Sequence, residues 1–261
     1  MISQSEKFFF DNNGYLVLEQ FLDSELTRDL LQTVKRVANL RRKLCTEEVE
    51  HTGITHINDQ NTRYFYILDD DPLFLTMLDY PPIMVYVESL LNSKPHHHAS
   101  DAVLEFGPVG RDMAWHIDGH DDGYRGLARP IPLLQLKVGY YLTDMTEAGQ
   151  GNLSLIPGSH KSMTDPSADD LQKKELFDGA IQVCAPAGTA ILFHNALWHS
   201  SGPWYKQDGQ RIMLYYAYEH PWMIASAEHW NYPAKFYNAL SSERRKLFHG
   251  FVFDPPEIRW G

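Results

Sequence analysis

The run Met113-Ala114-Trp115-His116-Ile117-Asp118-Gly119 sets a histidine and an aspartate two positions apart. In an extended strand successive side chains alternate between faces, so His116 and Asp118 present an imidazole and a carboxylate to one point. Imidazole with carboxylate suits a divalent transition metal. A third ligand has to come from elsewhere in the chain. His199, in Leu197-Trp198-His199-Ser200-Ser201-Gly202, follows the apolar run Thr189–Phe193 where the chain turns. Two histidines and one carboxylate on one face of an octahedral ion leave up to three positions open, the arrangement of non-haem iron(II) oxygenase centres. Arg211 lies twelve residues after His199 and begins a second apolar run, Arg211–Tyr218. Its planar guanidinium matches a carboxylate through two parallel hydrogen bonds. A dicarboxylic co-substrate that chelates a metal at one end needs such a cation at the other. A His-x-Asp pair alone is a weak motif, and His199 with Arg211 gives it weight.

Stepping along the chain, the elements that must hold these residues divide at about residue 94. Before it, Tyr15–Leu18 reads as a strand after an Asn12-Asn13-Gly14 turn. Asp23 or Ser24 can cap a helix running to about Lys43, with Leu26, Leu30, Leu31, Val34 and Val37 at helical spacing. Residues 45–70 read as polar and irregular, and one helix is expected from Pro72 to Leu91. After it, short apolar runs alternate with Gly and Pro: Ala102–Phe106, Leu133–Leu142, Leu153–Ile156, Ile181–Ala185, Thr189–Phe193 and Arg211–Tyr218. Short strands at such spacing predict an all-β sandwich or barrel. The fold expected is mainly β with flanking helices, a double-stranded β-helix of the jelly-roll, cupin-like kind, which encloses a ligand cavity. A single domain over 1–261 is expected: a helical region 1–94, a jelly-roll core 95–220 and an extension 221–261 with a helix over Lys235–Leu247.

Composition narrows the function classes. The chain has 261 residues, enough for a substantial core. It carries 23 basic and 34 acidic residues, a net charge of -11, which argues against gripping nucleic acid or an anionic membrane. No stretch approaches the ~20 apolar residues of a membrane span. Met1–Phe10 lacks the basic start and apolar run of a signal peptide. Cys45 and Cys184 make no disulfide framework, so a cytoplasmic location is expected.

Taken together, the chain resembles the phytanoyl-CoA dioxygenase family of Fe(II)- and 2-oxoglutarate-dependent oxygenases. The resemblance covers most of the chain. It rests on Phe9–Leu22, His116-Ile117-Asp118, the run Gln135–Asp144, Gly151-Asn-Leu-Ser-Leu-Ile-Pro-Gly-Ser-His160, His199-Ser200-Ser201 and Arg211. It implies Fe(II) on His116, Asp118 and His199, with Arg211 holding the distal carboxylate of 2-oxoglutarate and Ser201 sharing it. It places Tyr140 along the co-substrate site, and Gln135 and Lys137 on one strand face that reaches toward it. It implies that O2 and 2-oxoglutarate are consumed, succinate and CO2 released, and a substrate C–H bond oxidised. Hydroxylation is the default outcome; demethylation, desaturation or rearrangement draw on the same chemistry. Related halogenases lack the metal-bound carboxylate that Asp118 provides here. Two departures from the family pattern, Gly188-Thr189 and Gly202-Pro203-Trp204, bear on loop shape. A cupin-like metalloenzyme that does not use 2-oxoglutarate would employ the same three ligands.

Other histidines are weaker candidates. His96-His97-His98 follows Pro95, and solvent exposure is its simplest reading. His120 would sit at a pocket mouth, His194 in the core, and His160 would bond a backbone carbonyl. In this fold the substrate entrance would draw on His56, Asn58, Arg63 and Tyr64, on His120, Asp121, Asp122, Tyr124 and Arg125, and on Trp222 and Trp230. That polar and aromatic mixture points to a small polar or zwitterionic molecule as the substrate.

Overall fold

The computed structural model describes residues 2–47, 54–58, 61–107, 113–119, 124, 126–171, 176, 178–223 and 232–248. Helix α1 (Gln4–Asn13) starts in a capping box, with Ser3 and Glu6 exchanging side-chain and backbone bonds, and stops at Gly14 in the left-handed region. Strand β1 (Tyr15–Leu18) follows, then α2 (Ser24–Thr46), capped by the Asp23 carboxylate on the Leu26 amide at 2.8 Å. The predicted face of α2 is buried at Leu30, Val34 and Val37.

Two expectations for the next stretch are corrected. Residues 55–58 and 61–65 form two antiparallel strands, β2 (Thr55–Asn58) and β3 (Asn61–Phe65), that extend the main sheet. Their polar residues lack apolar alternation, so their strand character comes from pairing with a neighbour rather than from local pattern. The single helix expected over Pro72–Leu91 is two, α3 (Pro72–Leu78) and α4 (Pro81–Leu91). Pro81 has no amide hydrogen to continue α3 and disfavours helical backbone at Tyr80, while its fixed φ suits the first position of a new helix.

The remaining strands are β4 (His96–Phe106), β5 (Gln135–Tyr141), β6 (Leu153–Leu155), β7 (Ile181–Gln182), β8 (Ala190–His194), β9 (His199–Ser201) and β10 (Gln210–Glu219). A short helix, α5 (Ala168–Leu171), lies between β6 and β7. A seven-stranded sheet runs β1-β8-β5-β10-β4-β3-β2, and a three-stranded sheet runs β7-β6-β9. Non-sequential antiparallel neighbours in two sheets make the expected jelly roll. Strand β4 begins at His96, earlier than expected, because its pairing with β10 continues past an irregularity at Ala217/Tyr218. The exposure read for His96, His97 and His98 is therefore corrected: all three are buried, and His97 packs edge-on against Phe248. The C-terminal helix expected over Lys235–Leu247 is likewise two pieces, α6 (Ala234–Ala239) and α7 (Ser242–Arg245), with Ser241 capping the second.

One face of the large sheet packs on the helices through Leu136, Val138, Tyr140, Ile212, Leu214 and Tyr216. The other looks toward the small sheet through Val103, Tyr141, Phe193, Met213 and Tyr215. Among the described residues no helix is long and apolar enough to cross a membrane.

Candidate active site

His116 and His199 meet because their backbones pair. Each amide donates to the other's carbonyl at 3.0 Å, an isolated antiparallel bridge at the end of β9. Asp118, two residues on, is anchored by its amide to the Asn195 carbonyl at 2.8 Å. One ligand atom from each of His116, Asp118 and His199 lies within 4.8 Å of the others. Both imidazoles are held by their second nitrogen: His116 Nδ1 donates to the Ala114 carbonyl at 2.7 Å and His199 Nδ1 to the Leu197 carbonyl at 2.9 Å. A carbonyl only accepts, so Nδ1 carries the proton and Nε2 keeps its lone pair for a metal. Burial, reinforced by His116, lowers the His199 pKa to about 3, so protons do not compete for that lone pair near neutrality. Burial alone would raise the Asp118 carboxyl. The Lys137 ammonium at 3.1 Å outweighs it, with help from the two imidazoles, and holds the group well below the usual carboxylate range. Asp118 Oδ2 is buried and has no hydrogen-bond partner among the described residues. An open carboxylate oxygen beside two presented imidazoles fits a divalent cation.

His116 and His199 line a cavity of about 230 Å³ together with Arg63, Lys137, Ser201 and Arg211. That size suits a short dicarboxylate better than the ~300–1,000 Å³ typical of drug-sized ligands. Arg211 is fully buried on β10, and its guanidinium donates to Glu105 at 2.7 Å, Ser201 Oγ at 3.1 Å and Tyr215 Oη at 3.0 Å. Its Nε has no partner among the described residues, so a donor remains for a carboxylate. Burial would lower the Arg211 pKa, but Tyr215 and Glu105 beside it raise it further above its ordinary value. Ser201 shares the strand face of His199, two residues on, which is why it reaches Arg211. Leu153 and Phe193 supply apolar wall.

Glu105 and Tyr215 escaped the sequence reading. Alternation on β4 was the available signal, since Asp101, Val103 and Glu105 share a face while Ala102 and Leu104 take the other. Tyr215 reaches across β5 because its cross-strand partner is Gly139, where a Cβ would come within 2.8 Å of the tyrosine ring.

The remaining expected residues divide. Lys137 lines the cavity, bonded to Asp118. Gln135 shares its face but lies two residues further from Arg211 and outside the lining. Tyr140, expected along the co-substrate site, projects from the opposite face of β5 into the helix-side core. Alternation decides this: Tyr140 is odd-numbered in steps from Lys137 and so cannot share its face. His56, Asn58 and Arg63 line the cavity, whereas Tyr64 is buried under α2 with its hydroxyl on the Val34 carbonyl at 3.1 Å. His160 contacts the Asp11 carbonyl at 3.3 Å, as expected, and His194 is buried. Tyr124 packs against Gly119, and Trp222 is exposed and stacked on His220. His120, Asp121, Asp122, Arg125 and Trp230 lie outside the described residues.

A jelly roll whose interior joins a two-histidine, one-carboxylate face to a buried arginine has the design of non-haem iron, 2-oxoglutarate-dependent oxygenases. The family model described as phytanoyl-CoA dioxygenase (PhyH) matches residues 10–211, and the chain belongs to that family. A dioxygenase of Aspergillus fumigatus, af480, is 28% identical over 242 residues, covering 90% of this chain and 73% of its own. An uncharacterised Mycobacterium tuberculosis protein, Rv1501, is 24% identical over 194 residues, covering 72% of this chain. That match spans 65% of the mycobacterial protein's length. Among solved structures, HygX from Streptomyces hygroscopicus with nickel, 2-oxoglutarate and hygromycin B bound superposes with a TM-score of 0.67 at 16% identity, covering 85% of this chain and 89% of that one.

Proposed function

We propose that this chain, acting as one catalytic domain, hydroxylates a C–H bond of a small polar metabolite, with Fe(II), 2-oxoglutarate and O2 as co-reactants. The observation that carries the reading is one cavity lined together by His116, His199, Ser201 and Arg211. Bound iron and 2-oxoglutarate supply the oxidant, with release of succinate and CO2. The chain supplies the rest. His116, Asp118 and His199 hold the metal, with their orientation fixed by the Ala114 and Leu197 carbonyls and by Lys137. Arg211, Ser201 and Tyr215 hold the far carboxylate of the co-substrate. Phe193 and Leu153 keep the site dry, which protects a reactive oxidant from side reactions. Asp118 fills the ligand position a halide would need, which supports hydroxylation over halogenation. The cytoplasm, with its supply of 2-oxoglutarate and reduced iron, is the proposed compartment.

Succinate formation from 2-oxoglutarate during a metabolite screen tests the reading. Turnover is expected to require Fe(II) and to fall more than about a hundredfold in Asp118→Ala and in His199→Ala, since even groups that merely orient metal ligands are worth about 10–100-fold. Full turnover in both variants would remove the triad from the account.

A further inference from the structure

Beyond the triad, seen from Arg211, the interior face of the large sheet carries a second polar group that the oxygenase reading leaves without a task. Glu219 ends β10 and stands directly opposite Gln135, the first residue of β5. The pairing is continuous from Met213/Tyr141 through Tyr215/Gly139 and Ala217/Lys137 to this pair, so both side chains share the face of Tyr215 and Lys137. Glu219 is 1% exposed and Gln135 3%. Glu219 Oε2 contacts His98 Nδ1 at 2.6 Å. Glu219 Oε1 and Gln135 Oε1 are both buried, and neither has a hydrogen-bond partner among the described residues.

The acids of this face differ in one respect. Glu105 is paired with Arg211 at 2.7 Å, Asp118 with Lys137 at 3.1 Å and Asp101 with Arg63 at 2.9 Å. Among the described residues Glu219 has no lysine or arginine, only His98. Two buried acceptors left open, one of them on a carboxyl that has no lysine or arginine among the described residues, are costly unless a donor arrives from outside. They sit one alternate position beyond Lys137, about 7 Å along the strand from the residue that touches Asp118. The Tyr124 ring packs on Gly119 next to Asp118, and its phenol is raised by burial first and then by Glu219 and Asp118.

We propose that Glu219 and Gln135 form the substrate subsite for a cationic amine, an ammonium or related N–H-bearing group whose carbon chain reaches back toward the metal. The proposal rests on the oxygenase reading and narrows its substrate class to amine-bearing small molecules. A protonated amine offers several donors and a positive charge, which matches two open acceptors and one carboxyl without a lysine or arginine. A neutral hydroxyl would satisfy one acceptor and leave the other open.

The test uses n-butylammonium and n-butanol as matched probes, followed by ligand-detected NMR at about 150 mM salt, where diffuse attraction to the acidic surface is screened. The protein is examined metal-free and again loaded with redox-inert Zn(II) and 2-oxoglutarate. Expected is at least about tenfold tighter binding of the ammonium probe in both forms, with that preference lost in Glu219→Gln and weakened in Gln135→Leu. Glu219→Gln keeps the side-chain shape and an acceptor for His98, and an unchanged melting temperature confirms that the fold is kept. If Glu219→Gln melts early, Gln135→Leu carries the test alone. Equal affinity for the two probes, or an unchanged preference in a folded variant, overturns the proposal. Failure to bind Zn(II) and 2-oxoglutarate overturns the oxygenase reading instead. Loss of the amine preference with both still bound overturns only the subsite.

Discussion

The two faces of β10 carry opposite kinds of side chain. Toward the helices it presents Ile212, Leu214, Tyr216 and Tyr218, all fully buried. The two tyrosine hydroxyls there end on carbonyls of Phe74 and Leu78 at 2.9 Å, so the strand itself brings no charge to that layer. Toward the small sheet the same strand presents Arg211, Met213, Tyr215 and Glu219, equally buried but charged at both ends. Burying a charge is costly unless it is paired. A strand that needed only to stabilise the fold would be apolar on both faces. The helix face holds the fold together, whereas the interior face gives up stability to present groups to a ligand.

That contrast can be sharpened by substitution on either side. Leu214→Ala, on the helix face, is expected to destabilise the protein by about 2–5 kcal/mol, as cavity-forming changes in cores do. Chemical denaturation measures it, and an effect below about 1 kcal/mol would break the contrast. Arg211→Ala, on the interior face of the same strand, also costs stability because Glu105 loses its buried partner, but it is expected to act on function as well. Loss of charge-assisted hydrogen bonds worth about 1.5–3 kcal/mol should weaken 2-oxoglutarate binding about 10–100-fold. Metal affinity, read by calorimetry, should hardly change, and equal losses in both would place Arg211 in the general architecture. Tyr140→Phe is the smallest. The Tyr140 hydroxyl is buried without a partner among the described residues, so its removal should cost less than about 1 kcal/mol. The 2-oxoglutarate requirement should stay within twofold, and a larger rise would return Tyr140 to the co-substrate site.

Much of this was legible in the sequence because it depends on local rules. His116 and Asp118 share a face through strand alternation, and α2 is bounded by Asp23 and its apolar spacing. The strand runs fell near their observed places. What was not legible depends on partners remote in the chain. The β2–β3 pair is polar and becomes strand because β3 pairs with β4. His97 is buried because Phe248, about 150 positions away, packs against it. Tyr140 was misplaced by a single step of alternation, which moves a side chain from the cavity to the core. Glu105 became visible as the partner of Arg211 only when the register of β4 on β10 brought the two opposite each other.

If the triad and Arg211 serve one site, that site takes iron and a keto acid together. Anaerobic addition of 2-oxoglutarate to the Fe(II)-loaded protein tests it most directly. A visible metal-to-ligand charge-transfer band is expected on chelation. In Arg211→Ala the band should need about 10–100-fold more 2-oxoglutarate, and in Asp118→Ala it should be absent. Fe(II) bound with no band at any 2-oxoglutarate concentration would contradict the claim and point to a metalloenzyme that works without the keto acid.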